Sequence, residues 1–237
     1  MNKENVLFGI VGLLLGLIVG FMFANSVNKT SSLAVGNVPP SAMNAQNGQM
    51  PEGHPQVPGG MPQGASMQEV QAAVEKAKAE PDNFDAQIKA ADLYNQVGKY
   101  DDSITYLKNA NKLKPDDYET IVNLGNVSFD GEKFEEAEKW YTQALAKKPD
   151  NVDVRTDLGL TYIFRQSPNY DRAIEEFERS LKTDASHIQT LQNLTVAYTK
   201  KGDAAKAKET VAKLEAVEPT NSAITKLKDE IKKIESK

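Results

Sequence analysis

Two histidines, His54 and His187, and the thioethers Met43, Met50, Met61 and Met67 are the residues whose chemistry could reach furthest beyond packing. Imidazole and thioether together suit Cu(I), but a copper site needs a fixed geometry. These ligands are widely spaced, and neither histidine has a second histidine at ligand spacing. No metal site is expected. The sequence has no cysteine, which excludes disulfides, thiolate zinc sites and a cysteine nucleophile. No phosphate-cradling glycine loop and no nucleophile with its base is present, so neither an enzyme nor a cofactor is expected. What remains is non-covalent recognition, for which amide side chains are well equipped. Each amide head both donates and accepts hydrogen bonds.

The elements that must position such residues divide the 237-residue chain unevenly. Up to Ala65 the only charges are Lys3, Glu4, Lys29 and Glu52, so the net charge of −5 falls on the rest. An acidic domain lacks the clustered cations that release counterions from a phosphate backbone. Nucleic acid is excluded as an expected partner.

Residues 1–27 contain an uncharged run of 19 residues, Val6 to Ala24, which as a helix spans a ~30 Å hydrocarbon core. A single-pass anchor is expected. A cleaved signal peptide is the rival, because Ala24 and Ser26 place small residues where a signal peptidase reads. Against it, the run exceeds the usual ~7–15 residues and the n-region carries only Lys3 and the amino terminus. Lys3 is offset by Glu4, with Lys29 on the other side, so charge hardly sets the topology. The short tail is expected in the cytoplasm and the large domain on the exported, periplasmic or extracytoplasmic, side. Gly12, Gly16 and Gly20 share one helix face and would let a second anchor pack closely, giving a homodimer, although glycine is frequent in membrane helices in any case. Residues 28–65, rich in Pro, Gly, Asn, Gln and Met, cannot bury enough apolar surface to order themselves. They form a disordered tether of roughly 35 Å mean reach.

Ser66 and Glu69 make a capping-box start to a short helix within 66–83. Beyond it, Pro81, Pro115, Pro149, Ala185 and Pro219 recur at steps of 34, 34, 36 and 34 residues. Within each step a small residue on a first helix meets an alanine and a large residue on a second. The second unit shows Leu124-Gly125, the turn Gly131-Glu132-Lys133-Phe134, Ala137, Tyr141, Ala144-Leu145 and Pro149. The others show Tyr94, Gly98, Leu107 and Ala110; Leu158-Gly159, Tyr162, Ala173 and Phe177; Leu194, Tyr198, Gly202 and Ala207. On these residues and this period the chain resembles the tetratricopeptide-repeat (TPR) family.

The resemblance implies an all-α fold, a right-handed superhelical solenoid with units 84–117, 118–151, 152–187 and 188–221. A polar-faced capping helix in 222–237 closes the end, as solenoids require. Several departures from the family pattern stand out. The aromatic of the fourth position is replaced by Gln87, Ile121, Arg155 and Leu191. Ala90-Ala91 and Thr195 stand where the middle units have Leu-Gly and Gly, so the end units are expected to pack less tightly. The third unit carries a two-residue insertion in Gln166-Ser167-Pro168-Asn169. All four arginines, Arg155, Arg165, Arg172 and Arg179, lie in that unit. Arg172–Glu176 and Glu175–Arg179 have helix-pair spacing and suggest a solvated face. His187 is expected at the surface of an inter-unit turn, and Asp101-Asp102 and Asp116-Asp117 are expected to cap helices.

By family register a concave groove takes Ile88, Lys89 and Asp92 from the first unit, and Val122, Asn123, Asn126 and Phe129 from the second. The third gives Asp157, Leu160 and Phe164, and the fourth Asn193, Val196 and Lys200. Members that clamp a C-terminal carboxylate hold cations where this chain has Ile88, Asp153 and Asp157, so that role is not expected. The expected function is a membrane-tethered adaptor or scaffold that binds a peptide or helix of a partner protein. Two narrower alternatives are an assembly factor presenting clients such as apocytochromes in an exported compartment, and a soluble exported binder after cleavage.

Overall fold

The computed structural model describes residues 66–236, which fall within the compact unit Met61–Lys237. The anchor of residues 6–24, with Gly12, Gly16 and Gly20, and the tether 28–65 lie outside the described residues. Among the described residues no helix is long and apolar enough to cross a membrane.

Ten helices follow one another: α1 Met67–Ala79, α2 Phe84–Gln96, α3 Tyr100–Leu113, α4 Tyr118–Asp130, α5 Phe134–Lys147, α6 Val152–Phe164, α7 Tyr170–Thr183, α8 Ile188–Lys201, α9 Ala204–Val217 and α10 Ile224–Glu235. Each packs on the one before and the one after, and α8 also touches α6 and α10. That is the connectivity of a helical solenoid of four pairs, α2–α3 to α8–α9, with one extra helix at either end. The N-terminal helix starts in the expected capping box, Ser66 accepting from Glu69 N at 3.3 Å while Glu69 accepts from Ser66 N at 2.8 Å. Its Val70, Val74 and Ala77 are buried against Ala86, Ala90 and Leu93. At the other end Ile224, Leu227 and Ile231 of α10 are buried.

The first helix of each pair begins at one register position. Asn83, Asp117 and Asn151 each accept from the backbone N–H three residues on, at 3.1, 2.8 and 2.9 Å, satisfying a donor that the helix start leaves free. His187 holds the same position in the fourth unit. It is 6% exposed, contrary to the expectation of a surface residue, and its Nδ1 stands 2.6 Å from Thr190 Oγ1. Asp117 therefore caps as expected, whereas Asp101 and Asp102 lie inside the first turn of α3, whose N-cap is Lys99.

The end units are not loose. A Cβ on Gly125 would stand 2.5 Å from Tyr141 Cε1, and one on Gly159 would run into the Phe177 ring. Each ring thus occupies the space of a missing side chain. In the first unit the corresponding pair is Ala91 and Leu107, and in the fourth Thr195 and Val211; none of these four is more than 3% exposed. Where the small residue gains atoms, the large one loses them, so density is kept along the solenoid. The turn of the second unit uses a non-glycine residue where two other units use glycine. The left-handed residue there is Glu132 (φ 57°), in register with Gly98 and Gly202, while Gly131 has an ordinary φ and lets Tyr100 approach.

Candidate functional site

The rows that the family register assigns to a groove come from the first helices of the four units, α2, α4, α6 and α8. One row runs Lys89, Asn123, Asp157, Asn193; the next Asp92, Asn126, Leu160, Val196; a third Gln96, Asp130, Phe164, Lys200. Lys89, Asp92 and Lys200 are exposed, and Ile88, Asn123, Phe129, Asp157, Phe164 and Val196 are half-buried. Val122, Asn126, Leu160 and Asn193 are buried, at 9, 7, 3 and 6% exposure. The apolar wall is thus mostly recessed, and polar groups form much of the accessible lining.

The three asparagines have different duties. Asn126 accepts from the fully buried Tyr141 hydroxyl at 2.9 Å, so its amide serves the packing of α4 on α5. Asn123, Asn193 and the adjoining Gln192 have no side-chain hydrogen bond among the described residues, although Asn193 and Gln192 are 6 and 3% exposed. Their amide atoms are not among those sealed from solvent, so these heads are what each residue shows the groove. Buried amides are normally satisfied, which makes the pair Gln192–Asn193 ready to bond an incoming backbone.

The charge of the groove changes sign along its length. Desolvation pushes the Asp92 carboxyl above the usual carboxylate range, and Lys89 offsets this in part. Asp92 is exposed by surface area yet walled by many atoms, the signature of a side chain in a concavity. Burial also drives the Tyr141 hydroxyl well up, reinforced by Asp157 and Asp130. Asp130, absent from the sequence-based set, stands in register with Gln96, Phe164 and Lys200. Phe129, in that set, makes edge contacts with Phe134 and Phe164 at 5.3 and 5.6 Å between ring centroids. At the far end, burial lowers Lys226 of α10, with Lys233 and Lys200 adding to the effect against Glu230. Lys226 was also missed, because it lies outside the repeats, on the capping helix that packs against α8.

The expected solvated face is found only in part: Arg172, Glu175 and Arg179 are exposed, whereas Glu176 is buried. Arg155 and Glu176 are a buried pair, Nη1 to Oε2 2.9 Å with side chains 9 and 5% exposed. Arg155 Nη2 also donates to Pro149 O at 2.6 Å, and Arg179 donates to Glu176 at 3.1 Å. Gln87, at the Arg155 position of the first unit, donates to Ala77 O at 2.8 Å and Pro81 O at 3.4 Å. In both units the missing aromatic is replaced by a donor for the end of the preceding helix. Arg165 pairs with Glu138 across units, and Arg172 donates to the Tyr162 hydroxyl at 3.2 Å, which itself donates to Glu138 at 2.9 Å. Thr156, Ser180 and Thr190 close a buried hydroxyl cluster between the third and fourth units, with Thr156 and Thr190 2.6 Å apart.

Paired helices in a 34-residue register and small residues under rings converge with family models. Tetratricopeptide-repeat models match residues 84–117, 125–163 and 164–231. The chain carries tetratricopeptide repeats. No curated protein matches it. Among solved structures, the TPR region is similar to the MamA protein at 25% identity, TM-score 0.57, over 65% of this chain and 82% of that one. MamA from Desulfovibrio magneticus RS-1, residues 41 to the end, aligns at 20% identity, TM-score 0.58, over 65% and 85%. YrrB, a TPR protein with an unusual peptide-binding site, aligns at 18% identity, TM-score 0.59, over 68% and 81%. The last two show the shared fold alone. The asparagine triplets that match a glycosylation pattern at Asn126 and Asn193 lie within α4 and α8, and Asn28 lies outside the described residues.

Proposed function

We propose that this TPR protein is an adaptor that holds a peptide or helix of a partner protein in its concave groove, and that residues 6–24 tether it to a bilayer with the repeats on the exported side. The observation that carries the first part is the set of amides at Asn123, Gln192 and Asn193, which the fold leaves unbonded among recessed apolar walls. A bound backbone would supply the partners that buried amides ordinarily have. YrrB, with its peptide-binding site, is a precedent of the same fold. TPR proteins are typically binding scaffolds rather than enzymes, and no catalytic role is assigned here.

The test is crosslinking in intact cells followed by affinity capture, comparing wild type with Asn123→Ala/Asn193→Ala. Asn126 is left intact because it bonds Tyr141. Discrete partners lost in the variant, with unchanged helicity by circular dichroism, support the groove. Partners retained in full would move the site to the convex face or the turn at residues 166–169. The tether predicts that protease added to sealed spheroplasts removes the repeats from a membrane-bound chain; complete protection would overturn the exported orientation. An intact mass lacking the first residues would replace the anchor with a cleaved leader.

A further inference from the structure

The groove positions carry Asp92, Asp130 and Asp157 in the first three units, with Lys89 beside Asp92, and Lys200 in the fourth, and this arrangement deepens the adaptor reading on which it rests. Asp92 and Asp130 lie one row apart on neighbouring first helices, and Asp157 follows on the next; Asp130 and Asp157 both act on the buried Tyr141 hydroxyl that Asn126 holds. Asp130 and Asp157 keep contacts of their own within the solenoid. Next to Asp157 in its row stands Asn193, more than nine-tenths buried and without a hydrogen-bond partner among the described residues. That amide makes the acidic stretch part of a ligand path rather than an isolated patch of charge. Beyond it, α10 packs on α8 and places Lys226 within electrostatic range of Lys200, and neither lysine has a carboxylate within ion-pair distance among the described residues. Two like charges brought together where burial already disfavours them are stabilised by an arriving anion.

We infer that the groove selects an extended partner segment bearing a lysine or arginine, which meets Asp92, Asp130 and Asp157, and a carboxylate further along, which meets Lys200 and Lys226. From the second unit to the fourth is two helix steps of about 10 Å. An extended chain covers that in about six residues, which sets the spacing of the two charges. The chain's own residues 28–65 do not have this spacing, since their only charges, Lys29 and Glu52, stand 23 residues apart. The raised Asp92 carboxyl fits the assignment, because a bound cation favours the ionised form and recovers part of what desolvation costs it.

The test uses the full-length chain and synthetic ten-residue peptides on a common Ser/Ala background, read by fluorescence anisotropy. The peptides carry Lys and Glu six residues apart in either order, two Lys, two Glu, or no charge; a further peptide spans residues 28–65. The expected result is that one Lys/Glu order binds about tenfold more tightly than the uncharged peptide, weakening as salt is raised. Asp92→Asn/Asp157→Asn should abolish the preference for Lys, and Lys200→Gln/Lys226→Gln the preference for Glu, each with unchanged circular dichroism. Binding that ignores charge would overturn the inference and leave the groove reading intact. Tighter binding of the 28–65 peptide would assign the groove to the chain itself and overturn it, as would a self-association lost in Asp92→Asn/Asp157→Asn. Binding of none of the peptides would overturn both readings.

Discussion

One absent methyl group sets how near α4 can come to α5. Tyr141 lies over Gly125 where any Cβ would collide, and its hydroxyl is held by Asn126, so the ring cannot yield without losing that bond. Gly125→Ala is expected to cost about 2 kcal/mol in thermal or urea unfolding, the ordinary range for overpacking a core. Adding Tyr141→Leu, which copies the Ala91–Leu107 pair, should recover at least half of that loss despite the lost hydroxyl; a double variant weaker than the single one would refute the compensation. The small positions themselves were readable from the sequence, since Gly125 and Gly159 recur in register. That Ala91 and Thr195 face correspondingly smaller partners was not, because the compensating residue lies on the other helix of the pair.

At the scale of helices, the joints between units are polar where the family uses an aromatic. Arg155 on α6 reaches Pro149 and the Glu176 carboxylate of α7, and both side chains are almost out of solvent. Removing one partner leaves a buried charge uncompensated, so Arg155→Leu should cost about 3 kcal/mol. The fourth unit holds Leu191 and Thr210 at the corresponding places, both at most 4% exposed. Arg155→Leu/Glu176→Thr is therefore expected to return to within about 1 kcal/mol of wild type by the same unfolding measurement. Reading the arginines by spacing along one helix placed Glu176 opposite Arg172, and the structure places it with Arg155 and Arg179. Local spacing sees partners three or four residues away, whereas Arg155 and Glu176 are on different helices. His187 was misread for a related reason: its position in the turn was evident, but the cluster of Thr156, Ser180 and Thr190 that encloses it is assembled from three helices. The helices and their order were legible because they follow from a period; Asp130 was passed over where a row was counted one residue short, and Lys226 because it lies on the capping helix outside the period.

Over the molecule as a whole, carboxylates that bridge successive units tie stability to pH. Burial raises Glu138, but hydrogen bonds from Arg165 and Tyr162 outweigh it and hold the carboxyl below the usual range; Glu136 is held down likewise by Lys108, against its own desolvation. A folded pKa below the unfolded one contributes stability that is complete above the unfolded value and is lost as pH falls through the folded value. Thermal stability should therefore decline from about pH 5 towards pH 3. Glu138→Gln should be less stable at pH 7 and show a shallower acid decline, and an unaltered profile would count against this bridge. In a solenoid each unit touches only its neighbours, so such bridges decide how far unfolding at one place spreads to the next.

The third unit is two residues longer than the others, yet α8 begins in register with α2, α4 and α6. The extra length is absorbed by the exposed stretch Gln166–Asn169, which Asn169 N closes back onto Tyr162 O at 2.8 Å. That edge already accommodates additional backbone without transmitting it to the concave rows. It is accordingly the place to graft a fluorophore, a short affinity tag or a crosslinker, reporting on the groove from outside it.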